Sequence, residues 1–293
     1  MWTKLRLIAL GRRILESILS PFYVDTMKNL TLPSILLLSG MICGVSRSQD
    51  APDLAPDVMI DLSHSFDSTT IHWPTVQGFK LHETVKGWQE PGYYYEANSF
   101  EMAEHTGTHM DAPIHFAEGK WSAHEIPLEN LVGPGVVVDV SDQVAENRDY
   151  QISVADLKLW EAEHGRLPNG AMVLFRTGFG EYWPDPVKYM GTDLLGSEAL
   201  PHLDFPGIGA DAARWLRDER SVDAVGIDTA SLDYGQSDTY ESHQELFQGN
   251  IIGFENLANL DKLPPKGFTI IALPMKIKGG SGGPVRIIAM MHN

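Results

Sequence analysis

Apolar residues along the chain fall into two rhythms. Six short β-rich runs recur after residue 57: VMIDLSHSF (58–66), GVVVDV (135–140), AMVLFRTG (171–178), VDAVGIDTASLD (222–233), FTIIALPMKI (268–277) and VRIIAMM (285–291). Short runs rich in Val and Ile, bounded by Gly, Pro, Asp or Ser, predict strands. Between them, SVADLKLWEAEHGR (153–166) sets Ser153 and Asp156 at capping-box spacing and carries Leu157, Trp160 and His164 along one side, which predicts a helix. GADAARWLRDER (209–220) predicts a second, with Ala213, Trp215 and Leu216 as its apolar side. Strands outnumber helices, so the expected class is mixed α/β with a sheet-dominated core. No internal repeat or low-complexity linker interrupts residues 58–293, which predicts a single domain there.

The first 48 residues follow another pattern. From Met27 a lysine precedes an apolar run from Leu30 to Val45, and Ser46-Arg47-Ser48 then gives a small-x-small sequence. This is the layout of a secretory signal peptide cleaved near Ser48. Residues 1–26 form an unusually long extension before it, so Met27 is a candidate start. The rival, a retained membrane anchor, needs about 20 apolar residues, and Pro33 and Gly40 interrupt this run. The expectation is a secreted protein with no membrane attachment after cleavage. QDAPDLAPD (49–57) reads as a flexible leader. Cys43 is the single cysteine, so the mature chain has no disulfide and no Cys–metal site. Such a domain must rest on its core, or on metal and oligomer contacts.

Composition narrows the partners. Hydrophobic residues make up 43% and charged residues 21%, ordinary values for a globular protein. With six of the 22 basic and two of the 39 acidic residues in 1–48, the remainder is more acidic still. Such a surface repels phosphate backbones and anionic bilayers, so neither nucleic acid nor membrane is the expected partner.

The chemistry concentrates in EHTGTHMDAPIHF (104–116), where His105, His109, Asp111 and His115 fall within eleven positions. A helix would put His105 and His109 on one face but send Asp111 away, and Gly107 and Pro113 oppose a helix. An extended chain shares one face among all four, yet spreads the outer two about 33 Å apart. The segment must therefore bend, and Thr106-Gly107 and Ala112-Pro113 are the places for it. His109 and Asp111 alone reach one ion as i and i+2 neighbours. Imidazoles with a carboxylate suit Zn²⁺, Mn²⁺ or Fe²⁺, and three protein ligands leave a position open for water. A loop of polar residues satisfying its own backbone is the bland alternative; four ligating or titrating side chains so close together argue against it. His124, nearby, reads as a structural residue of a surface turn.

HTGTHMDAPIH resembles the H-x-G-T-H-x-D-x-P-x-H signature of the metal-dependent cyclase family, which includes bacterial-type kynurenine formamidase (arylformamidase) and isatin hydrolase. The likeness runs from about Ile60 to the C-terminus, through VGIDTASLD and GFENLANLD. The resemblance implies a swivelling β/β/α domain, usually oligomeric, and one or two Zn²⁺ ions, with Mn²⁺ as the alternative. It implies His105, His109 and Asp111 as ligands of one ion, with Asp111 bridging to a second. His243 and Glu255, twelve residues apart, match the remaining ligands; from their own surroundings they read equally as an amphipathic helix and a surface charge. It implies His115 as the acid/base that deprotonates a metal-activated water, a task suited to an imidazole with an ordinary pKa of about 6.5. Asp228 is a candidate to orient a ligand histidine or, equally, to bond a turn. The expected activity is hydrolysis of a C–N amide bond in a small aromatic substrate such as N-formylkynurenine. The alternatives are an isatin-type lactam and a secreted metal-binding module without catalysis. An aryl substrate needs flat apolar walls; Trp73 and Phe116 lead the candidates, followed by Trp88, Tyr93, Tyr94 and Tyr95. Extra chain around 180–206 is positioned to reshape the pocket. No G-x-S-x-G offers a nucleophilic serine, and GGSGG (279–283) lacks the P-loop Lys.

Overall fold

The computed structural model describes residues 58–291. The expected N-terminal extension, signal peptide and leader lie outside them. In chain order the elements are β1 (Val58–Asp61), β2 (Lys80–Gln89), β3 (Tyr93–Glu101), β4 (His109–Asp111), β5 (Val132–Asp139), α1 (Ser141–Glu146), β6 (Gln151–Ile152), α2 (Val154–His164), β7 (Ala171–Arg176), α3 (Pro186–Met190), β8 (Gly207–Ile208), α4 (Ala210–Glu219), β9 (Val222–Ile227), α5 (Glu241–Gln248), β10 (Ile252–Glu255), β11 (Lys266–Pro274) and β12 (Gly282–Met291).

The main sheet runs β1-β12-β11-β5-β7-β9-β10-β4, and β4 pairs onward with β12. That last pairing closes seven strands into a barrel and leaves β1 at its flank. Strands β5, β7, β9 and β10 are parallel, and their crossovers carry α2, α4 and α5. Side chains alternate along each strand. Val136, Val138, Val173 and Phe175 join the cluster under the helices with Leu157, Leu216 and Leu246. Val137, Met172 and Leu174 point the other way, into a barrel core with Met110, Phe254, Ile270 and Ile287. Continuous apolar runs such as AMVLF are thus strands buried on both faces. The sheet-dominated α/β class expected from the pattern is what the chain adopts.

The capping box forms as its spacing predicts: Ser153 Oγ accepts from the Asp156 N–H, and Asp156 accepts from the Ser153 N–H at 2.7 Å. Helix α2 then buries Leu157 and Trp160, and Trp160 Nε1 donates to the Val137 carbonyl at 2.8 Å. Helix α4 buries Ala212, Ala213 and Leu216. Its Trp215 is only partly buried, with the Arg220 guanidinium 3.9 Å above the ring. The run at 222–233 leaves the sheet at Ile227, and its last six residues form a buried loop that feeds the site. The hairpin of β2 and β3 lies outside the strands that the pattern predicts, because its apolar residues are mixed with charges on both faces; among the described residues its strands pair only with each other. Among the described residues no helix is long and apolar enough to cross a membrane.

Candidate metal centre and active site

The histidine-rich segment bends where the distance argument requires. Gly107 has φ +60°, and a Cβ there would lie 2.8 Å from Phe66 and from Thr70, so both conformation and space demand glycine. After it, three residues form β4, wedged between β10 and β12. The register sets Glu255 opposite His109 and Gly253 opposite Asp111. At Pro113 the chain turns again, into a single 3₁₀ turn ending at His115. Helix α5, on the far crossover, delivers His243.

Five side chains converge. Asp111 Oδ1 lies 2.6 Å from His105 Nδ1 and 3.1 Å from His109 Nε2, while its Oδ2 lies 3.3 Å from His243 Nε2. Glu255 reaches His243 Nε2 through Oε1 at 3.1 Å and His109 Nε2 through Oε2 at 3.3 Å. Each imidazole turns one nitrogen inward and ties the other to an acceptor outside. His105 Nε2 faces Ser281 Oγ at 2.9 Å, His109 Nδ1 the Gly107 carbonyl at 2.9 Å, and His243 Nδ1 the Asp233 carboxylate at 2.6 Å. That arrangement fixes ring orientation and tautomer as metal-ligating histidines require.

Charge balance tests whether these residues fit a cation. Two carboxylates lie buried among three imidazoles, and among the described residues no lysine or arginine lines the pocket. Burial disfavours a charged His109, but Asp111 and Glu255 outweigh it and push its pKa up to about 10. His243 is likewise raised against burial, by Asp111, Asp233 and Glu255. Burial would raise Asp111, yet His105 and His109 hold it well below the usual carboxylate range. The cluster therefore demands positive charge at its centre, and a divalent cation supplies it without protons. Despite these neighbours at 3.1–3.3 Å, His109 Nε2 and Asp111 Oδ2 are buried and make no hydrogen bond of acceptable geometry among the described residues. Leaving such atoms unpaired costs about 1–3 kcal/mol each. The donors sort into two sets within 4.8 Å, His105/His109/Asp111 and Asp111/His243/Glu255, with Asp111 in both. The residues fit one ion, or two sharing Asp111.

His115 belongs to neither set. Its ring stacks on that of His105 at 3.9 Å and stands 6.2 Å from that of His243. Burial lowers its pKa to about 4, so it is neutral at neutral pH, while His109 and His243 are drawn towards charge. A pocket of about 250 Å³ opens over the cluster, lined by His115, Trp73, Phe116, Ile71, Val76 and Tyr240 among others.

Other candidates stand elsewhere. Trp88 is 77% exposed on the hairpin, and Tyr93, Tyr94 and Tyr95 are exposed with it; none lines the pocket. Asp228 does not orient a ligand histidine. It accepts from Thr177 N and Oγ1 and from Gly178 N, capping the turn after β7. The residue in that orienting position is Asp233, which also accepts the N–H groups of Ser242 and His243 at the start of α5. It stands five residues beyond Asp228 at the end of the same apolar run, where the loop, not the strand, aims it. His124 bonds Ser122 Oγ and the Gly279 N–H in a turn. The extra segment reaches the site from behind: the Tyr189 hydroxyl lies 3.1 Å from Asn256 Oδ1, and the Gly196 N–H donates to the Pro74 carbonyl beside Trp73.

Residues 60–234 match a family described as "Putative cyclase". The chain belongs to the cyclase family. Cyclase-family relatives include the isatin hydrolase of Roseibium aggregatum, 32% identical over 226 residues, covering 74% of this chain and 82% of that protein. The kynurenine formamidase of Salinibacter ruber is also 32% identical, over 78% of this chain and 96% of its own length. The structure of isatin hydrolase A from Ralstonia solanacearum superposes with a TM-score of 0.72 and 33% identity, over 90% of this chain and 98% of that one. This cyclase-family chain is a metal-dependent hydrolase.

Proposed function

We propose that the protein hydrolyses a C–N amide bond in a small aromatic substrate, the arylformamidase type of reaction. One observation carries the reading: His115, outside both sets of candidate ligands, faces an apolar pocket directly beside the cluster of imidazoles and carboxylates. His105, His109, Asp111, His243 and Glu255 would hold the cation, Zn²⁺ by the mixture of nitrogen and oxygen donors, with Mn²⁺ the alternative. When bound, the cation supplies Lewis-acid polarisation of the scissile carbonyl and a more acidic water. His115 takes the proton of the attacking water and returns it to the departing nitrogen. Trp73 and Phe116 wall the aryl group. A pure metal-binding module has no use for His115 in that position.

One observation favours the lactam alternative. N-formylkynurenine carries an α-carboxylate, and among the described residues no lysine or arginine lines the pocket to pair with it. An uncharged bicyclic aryl lactam, as in isatin hydrolase, makes no such demand. The test is turnover of both substrate types by metal-depleted and reloaded protein. Activity should appear only on reloading, and His115→Ala should abolish it while retaining most of the bound metal. An active His115→Ala variant would remove the acid/base assignment.

The secreted location rests on residues 27–48, and N-terminal sequencing of the exported protein checks it by finding a start near residue 49. The barrel with its outer helices is compatible with a swivelling β/β/α description. A homo-oligomer is supported by the hairpin, since an isolated two-stranded hairpin is marginal in water and this one exposes Leu81, Trp88, Tyr93 and Phe100.

A further inference from the structure

Among the described residues, four that are not glycine have positive φ: Tyr240, Asn250, Asn256 and Asn259. Asparagine tolerates this conformation, because its short polar side chain bonds locally. Tyr240 has no such device, and for a bulky residue the left-handed region is a true outlier. Its φ of 53° and ψ of 46° fall at the entry to α5, three residues before His243. The turn itself does not ask for tyrosine. Its N–H donates to Ser237 Oγ at 3.1 Å, a bond that any residue except proline would make. Glycine or asparagine would form the same turn with less strain. What only tyrosine supplies is the ring, and strain held at such a place points to use.

The ring lines the pocket over the metal-ligand cluster. Its centroid lies 5.2 Å from that of Phe116, 6.2 Å from Trp73 and 6.3 Å from His243. It is half-buried, whereas His243 behind it is buried. Tyr240 therefore joins the two aromatic walls and stands on the solvent side of the cluster. We propose that Tyr240 is a specificity-determining residue: the left-handed backbone holds its ring out to complete, with Trp73 and Phe116, an aromatic collar that selects planar aryl amides over alkyl amides. The inference rests on the hydrolase reading above and names the residue that sets its substrate class.

The test compares wild type, Tyr240→Phe, Tyr240→Asn and Tyr240→Gly in metal-loaded, full-length protein. The substrates are isatin, formanilide and N-butylformamide. Tyr240→Asn should lower the aryl-to-alkyl ratio of kcat/KM about tenfold, the size expected for one aromatic contact. The loss should fall in KM for the aryl substrates, metal content should stay at the wild-type level, and Tyr240→Phe should keep the wild-type ratio. Tyr240→Asn and Tyr240→Gly should also melt at or above the wild-type temperature, because the strain is relieved. A ratio that does not move, or aryl and alkyl substrates losing equally, overturns the proposal. So does a lower melting temperature in both variants, which would mark the ring as packing only. If wild type cleaves none of the amides, the hydrolase reading fails by itself. Calorimetric binding of isatin then decides: about tenfold weaker binding to Tyr240→Asn upholds the collar, and equal binding overturns it.

Discussion

A single carboxylate shows how far one residue's role depends on what it touches. Asp228 and Asp233 lie five positions apart at the end of one apolar run, and the sequence offers Asp228 equally for a histidine or for a turn. Asp228 is spent on the turn at Thr177, while Asp233 grips His243 Nδ1 at 2.6 Å. Asp233→Asn should therefore weaken metal binding about 10- to 100-fold, as measured by competition with a coloured chelator, with the far-UV spectrum unchanged. His64 gives a pH prediction. Its ring stacks on Trp183 at 4.1 Å, its Nε2 is buried without a partner, and burial lowers its pKa to about 4. The unfolded chain takes up that proton below about pH 6.5, and the folded one only near pH 4. Stability should thus fall as pH drops through this window, by about 2 kcal/mol after allowing for partial exposure. His115 acts in the same direction. Denaturant melts from pH 7 to 4 should show a shallower loss for His64→Phe than for wild type.

Among elements, the shortest strand of the main sheet has the largest consequence. β4 has three residues, too few for any periodicity to reveal, and two of them are His109 and Asp111. Its place between β10 and β12 closes the barrel and sets His109 across from Glu255. The bend that allows this is Gly107. Gly107→Ala meets Phe66 and Thr70 and an unfavourable φ at once, and should cost about 1–3 kcal/mol together with most of the metal affinity. Leu157→Ala, at a fully buried position on the inner side of α2, should cost about 2–5 kcal/mol but leave metal affinity intact. Comparing the two by calorimetry and metal titration separates damage to the fold from damage to the site. Helix α2 was legible because its capping box and apolar side are local. The hairpin was not, because exposed strands lack the alternation that a buried face imposes.

For the whole molecule, the hairpin's exposed aromatics lead to one further expectation. Trp88→Glu with Tyr93→Glu should shift sedimentation towards a smaller species if copies of the chain meet there, while the isolated site keeps its bound metal. The sequence by itself determined the sheet-dominated class, helices α2 and α4, and the chemistry of 105–115, because each rests on neighbours within a dozen residues. It reached His243 and Glu255 only through resemblance to a family, since they stand more than 120 positions from His115. Only the tertiary structure decided that a closing barrel brings these segments together, and that Asp233 rather than Asp228 holds the histidine. It also decided that Tyr240 rather than the hairpin's aromatics lines the pocket. Those choices depend on strand register and loop direction, which are fixed by packing across the barrel and leave no local trace in the order of residues.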